Sequence, residues 1–172
     1  MRELIIIREP ILSDEEAFIT AMKSSKGLHF PWIKSPQTKE EFETYIQRSQ
    51  LANQKSFLAC TNSGDIVGVF NISEIILGVF QSAYLGFYGV AHFSAKGYMS
   101  CALKLILRTI FLDMNLHRIE ANIQPTNTRS INMIKSNGFY KEGFSPRYLK
   151  INGVWSDHER WALTYEDWQT LK

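Results

Sequence analysis

The stretch that most constrains the fold is 90–114, VAHFSAKGYMSCALKLILRTIFLDM. It reads as the end of a strand, a short loop holding Lys96 and Gly97, and a long helix. The helix carries Leu103, Ile106, Leu107, Ile110, Phe111 and Met114 at helical spacing, a stripe that needs a sheet to pack on. A loop that ends a strand and opens a helix presents several free backbone N–H groups and the positive end of the helix dipole, so it suits an anion, most often phosphate. Gly97 permits a tight turn and close approach of backbone to ligand, and Lys96 can add a positive charge. A lone glycine before a helix is more often only a turn, so the rest of the chain must decide.

The chain's 172 residues, 45% of them hydrophobic, suit one domain spanning 1–172. Lys plus Arg number 19 against 17 for Asp plus Glu, a balance that gives no ground for direct nucleic-acid or membrane-surface binding. Cys60 and Cys101 have no metal-ligand spacing and form no disulfide framework, and the four histidines do not cluster, so no metal site is expected. The opening MRELIIIREP breaks its apolar run with charges and a proline and lacks a secretory leader pattern. No apolar run approaches the roughly 20 residues of a membrane span. A cytoplasmic protein, monomer or homodimer, is the expectation.

In chain order, 4–8 is a strand candidate, and Ser13 to Glu16 a capping box opening a helix to about residue 26, stopped by Gly27. The segment 28–36, LHFPWIKSP, is an aromatic loop in which Trp32 is either a hydrophobic plug or part of a substrate wall. Thr38 and Glu41 form a second capping box, for a helix to about residue 54. Strands follow at 57–61 and 66–73, joined by a turn at 62–65, and at 82–90, where Gly86 and Gly89 point to a bulge or a close backbone approach. After the long helix come a strand at 117–124, a helix capped by Asn127 and ended by Gly138, and two long strands joined at Asn152-Gly153. A short helix closes the chain at 166–171. This order of strands and helices is an α/β (α+β) arrangement around one mixed sheet.

Four local patterns in this order resemble one family: Tyr84-Leu85-Gly86-Phe87, Lys96-Gly97-Tyr98, Asn127-Thr128-Arg129-Ser130-Ile131, and Asn137-Gly138-Phe139 followed by Glu142-Gly143-Phe144. The sequence is similar to the GNAT superfamily of acetyl-CoA-dependent N-acetyltransferases. From residue 116 onward, through Asn152-Gly153-Val154-Trp155-Ser156-Asp157-His158, it resembles the ribosomal-protein-alanine N-acetyltransferase branch. The resemblance implies a centrally antiparallel sheet of about seven strands with about four helices. Two neighbouring parallel strands would splay apart to admit the pantetheine arm of acetyl-CoA.

The same resemblance implies roles for particular residues. Gly89, Val90 and Ala91 would pair with the pantetheine arm, and the diphosphate would lie on the N–H groups of Ala95, Lys96, Gly97, Tyr98 and Met99. The family pattern of that loop is departed from at Ser94, where a long polar side chain is usual, and at Met99, where a small residue is. Asn127 would bond the cofactor arm, and Ser130 would contact its sulfur and supply a proton. Both also have plain readings, as a cap and as a small helix residue. The base is open: a related enzyme carries a glutamate at the position of Asn122, Glu120 is the nearest carboxylate on the same strand face, and Glu74 and Asp157 are alternatives through loops. Trp32, Tyr148 and Asp157 would border the acceptor. An α-amine, with a pKa of about 7.7–8.0, is partly neutral at physiological pH, whereas lysine at about 10.4 is not, so a missing base favours an α-amine acceptor. The acceptor is then a protein N-terminus, a ribosomal one included, or a small amine; a non-catalytic CoA-binding module is a further reading.

Overall fold

The computed structural model describes residues 4–171; residues 1–3 and 172, on which the readings of a leader and of a domain running the full length partly rest, lie outside the described residues. The strands are β1 (Ile5–Arg8), β2 (Lys55–Thr61), β3 (Ile66–Ile76), β4 (Ser82–Gly89), β5 (Arg118–Ile123), β6 (Tyr140–Ile151) and β7 (Val154–Thr164); β5 alternates buried and half-buried residues, while β2 is buried on both faces. They form one sheet in the order β1-β2-β3-β4-β5-β7-β6. Every neighbouring pair is antiparallel except β4 with β5. This is the expected mixed, centrally antiparallel sheet.

The parallel pair is short. Register runs only from Ser82 opposite Arg118 to Tyr84 opposite Glu120, after which β4 continues to Gly89 and β5 to Ile123 without pairing to each other. The strands therefore part, leaving backbone groups along both edges of a gap.

Two cores hold this frame. On one face Leu58, Cys60, Val69 and Val90 pack beneath Phe18, Met22, Phe42 and Ile46 of α1 (Glu15–Ser24) and α3 (Lys39–Ser49). The other face carries Phe70, Ile72, Leu85, Ile119, Ala121 and Leu163 against Leu103, Ile106 and Leu107 of α4 (Tyr98–Arg108). The apolar stripe of the opening stretch is thus buried as its spacing predicts, and it is prolonged by a π-type turn at Thr109–Asp113.

Six α-helices, several of them short, flank the sheet among the described residues. The first breaks at Ser25, whose hydroxyl bonds Ala21 C=O, and α2 (Lys26–His29) follows, so Gly27 lies inside a short helix and does not stop one. The Ser13 capping box is not formed: the Asp14 carboxylate takes the Ile11 N–H at 2.8 Å and the Arg8 guanidinium, competing successfully for the same helix start. Thr38 does cap α3, accepting from the Glu41 N–H at 3.2 Å, but α3 ends at Ser49, short of residue 54. The helix α5 (Thr128–Ser136) has Asn127 as its cap, and Gly138 after it adopts φ 90°. Positive φ at Asn152 and Gly153 makes the tight turn between β6 and β7. The last helix is α6 (Tyr165–Thr170), and no described helix is long and apolar enough to cross a membrane.

Candidate active site

A cleft of about 450 Å³ opens where β4 and β5 part. Its walls come from α2 and the aromatic loop (His29, Phe30, Trp32), from the end of β4, from the loop before α4, and from the start of α5. The loop owes its shape to two left-handed residues, Ala95 at φ 59° and Gly97 at φ 81°, the latter being the N-cap of α4. A run of backbone that includes such residues turns successive N–H groups inward into an anion-holding nest. The first hydrogen bond of α4 is from Cys101 N–H to Gly97 C=O, so the N–H groups of Tyr98, Met99 and Ser100 precede the helical ladder and are open to a ligand.

Met99 does not fill this nest, despite its bulk. Its thioether lies back on the sheet against Gly68 and Gly89, which face each other across β3 and β4. A Cβ on Gly68 would overlap Met99 Sδ, and one on Gly89 would stand 3.3 Å from Met99 Cγ. The close approach read from Gly89 in the sequence is therefore an approach of Met99, admitted by two missing side chains.

The three residues at the end of β4 are engaged internally. Val90 N–H bonds Val67 C=O at 2.8 Å, His29 Nε2 donates to Gly89 C=O at 2.8 Å, and Ala91 N–H donates to Ser25 Oγ at 2.9 Å. Because Val90 faces β3, alternation turns the N–H groups of Phe87 and Gly89, and Phe87 C=O, toward the gap. Phe87 was missed by sequence reasoning, and pairing geometry is what reveals it. His29 was missed too. It is buried, and burial lowers its pKa against the opposing bond to Gly89, favouring the neutral ring, with Nδ1 3.0 Å from Ser35 Oγ.

Asn127 and Ser130 both line the cleft. Asn127 Oδ1 accepts the Ser130 N–H at 3.3 Å as a cap, which leaves its amide N–H₂ free, and the Ser130 hydroxyl makes no hydrogen bond among the described residues. Trp32 joins them in the wall, its C=O 3.5 Å from Gln124 Nε2. Lys96 is exposed and lies over the Phe93 ring, 5.8 Å from its centre, outside the cleft lining.

The other sequence candidates are not brought to this cleft. Glu120 is tied to Arg118 Nε at 2.7 Å; the same guanidinium holds Glu142, whose hydrogen bond raises the Arg118 pKa. Asn122 Oδ1 is buried without a hydrogen-bond partner among the described residues, and Arg160 lies opposite it on β7. Tyr148 hydrogen-bonds Tyr84, which raises the pKa of the Tyr84 hydroxyl, and lies near the His158 ring. Asp157 accepts the Arg147 N–H at 2.7 Å, and Glu74 is an exposed residue at φ 50° in β3. No Asp or Glu is among the described residues lining the cleft.

Parted parallel strands, an N–H nest before α4, and Asn and Ser at the start of α5 define an acetyltransferase of the GNAT type. The acetyltransferase (GNAT) domain family matches residues 5–140, and the chain belongs to that family. It is 35% identical over 124 residues to the probable N-acetyltransferase YjcK of Bacillus subtilis, covering 72% of this chain and 68% of that protein. It is 40% identical over 104 residues to the [ribosomal protein uS5]-alanine N-acetyltransferase of Escherichia coli, covering 60% of this chain but only 54% of the relative. Among solved structures, Mycobacterium smegmatis RimJ in complex with CoA-disulfide superposes with a TM-score of 0.88 at 26% identity, over 95% of this chain and 83% of that one. The protein is an N-acetyltransferase by family.

Proposed function

We propose that this N-acetyltransferase uses acetyl-CoA to acetylate the α-amine of a protein N-terminus, with a ribosomal protein as the leading candidate. When bound, acetyl-CoA supplies an activated thioester carbonyl. The residues present fit it: the nest at 95–100 suits a diphosphate, the free edge at Phe87 and Gly89 suits the amides of the pantetheine arm, and Met99 leaves the nest open by lying on Gly68 and Gly89. Asn127 would hold the arm through its free amide, and Ser130 Oγ would carry the proton for the departing sulfur.

One observation carries the choice of acceptor, namely the lack of a carboxylate among the described residues of the cleft. His29 is no substitute, because both ring nitrogens are engaged. An acceptor entering such a site must already be substantially neutral. An α-amine near pKa 7.7–8.0 meets that condition, whereas a lysine or polyamine amine near 10.4 is neutral about once in a thousand. The likeness to the uS5-alanine enzyme supports the same acceptor class.

The test is thiol release from acetyl-CoA with an alanine-starting peptide, the same peptide blocked at its N-terminus but bearing an internal lysine, and a panel of small amines that includes spermidine. Turnover is expected on the free N-terminus alone. Preference for lysine or a small amine overturns the acceptor, and acetyl-CoA binding without turnover on any amine overturns catalysis.

A further inference from the structure

Ser94 opens the loop before α4 at the position where the family resemblance puts a long polar side chain, and a serine is too short to reach a ligand lying along the nest. The gap is filled from another element. Arg129, in the first turn of α5, donates from Nη1 to Ser94 Oγ at 2.5 Å. It is the only Lys, Arg, Asp or Glu among the described residues that line the cleft, and it forms no ion pair with any described carboxylate. A cation in the first turn of a helix also sits at the wrong end of the dipole, an unfavourable placement that an anion in front of it would reverse. A guanidinium bonded once to Ser94 keeps its remaining N–H donors for a phosphate oxygen pair.

We propose that Arg129 is the phosphate-binding cation of this cleft, supplied by α5 in place of a long side chain at position 94, with Ser94 holding its guanidinium toward the cofactor's diphosphate. This rests on the acetyl-CoA reading above. Lys96, directed over Phe93, has no share in it.

Calorimetric titration with CoA and with dephospho-CoA, which keeps the diphosphate but lacks the 3′-phosphate, tests the assignment in the native chain, Arg129→Ala, Arg129→Lys and Ser94→Ala. Arg129→Ala should weaken both ligands alike, by about ten- to a hundredfold, the value of one charge-assisted hydrogen bond. Arg129→Lys should recover part of the loss and Ser94→Ala should show a smaller one, while melting temperatures stay unchanged because Arg129 is exposed. Equal CoA affinity in the native chain and Arg129→Ala overturns the proposal. A loss for CoA but not for dephospho-CoA overturns the diphosphate assignment in favour of the 3′-phosphate. No heat with CoA in the native chain brings down the cofactor reading itself, an outcome distinct from both.

Discussion

Gly68→Ala is the perturbation whose consequence is most fully determined by the geometry. The added Cβ would overlap Met99 Sδ and stand 3.0 Å from Met99 Cε and from Tyr88 C=O, where carbon contacts prefer about 3.5–4.0 Å. The backbone of β4 cannot retreat, since it is paired along its length with β3, so Met99 must swing off the sheet and into the cleft it lines. Overpacking of this kind costs about 1–3 kcal/mol. At about 2.1 cal/mol/K per residue, a chain of 172 residues unfolds with roughly 0.36 kcal/mol/K, so Tm should fall by about 3–8 °C. Differential scanning calorimetry reads that shift, and titration with CoA reads the accompanying loss of affinity as Met99 crowds the nest. The decisive arm is the Met99→Ala background, where Gly68→Ala should cost at least about 1 kcal/mol less and CoA affinity should recover. An equal cost in both backgrounds would show that Met99 takes no part and that the strain lies at Tyr88 C=O alone.

Four further substitutions probe the active site and the titrating groups of the fold. Ser130→Ala should lower kcat by about 10²-fold or more with little change in CoA affinity, whereas Glu120→Gln, its carboxylate spoken for by Arg118, should stay within about threefold of the native rate, far from the 10²–10⁴ that a general base contributes. His29→Gln should flatten the acid side of the stability profile. Burial depresses the folded-state pKa of His29, so its contribution is present above the unfolded value of about 6.5 and is lost as pH falls through the folded pKa; His158, also depressed by burial, keeps its own part of that slope in the variant. Asp14→Asn should remove a separate loss of stability below about pH 4: burial pushes the Asp14 carboxyl up, but the Arg8 and Ile11 hydrogen bonds outweigh it and hold it below the ordinary value, and chemical denaturation across pH 3–6 measures the difference.

Local chemistry made much of this legible from sequence. Gly97 was legible as a tight turn into α4, and it is left-handed there; Asn127 was legible as a cap, and it accepts from the Ser130 N–H; the stripe on α4 announced its own sheet. Alternation also placed Glu120 on the same face as Arg118, two residues away, and the ion pair that removes it from the list of bases lies along that face. What was not legible depends on partners distant in the chain. His29 meets Gly89 across 60 residues, Ser25 meets Ala91 across 66, and Arg129 meets Ser94 across 35. No periodicity encodes such meetings. Met99 looked like an obstruction in isolation, and only the pairing of Gly68 with Gly89 shows where its side chain goes. The failed Ser13 cap is a smaller case of the same kind, since Arg8 on β1 decides which carboxylate is committed at that helix start.

The central claim is that the gap between β4 and β5 takes a CoA arm whose diphosphate rests on the nest before α4. A crystal structure of the complex with CoA tests it most directly. Diphosphate oxygens are expected on the N–H groups around Gly97, the arm paired with Phe87 and Gly89, and the sulfur facing Ser130 Oγ. CoA bound elsewhere on the surface, or Met99 occupying the nest with the arm excluded from the gap, would contradict it.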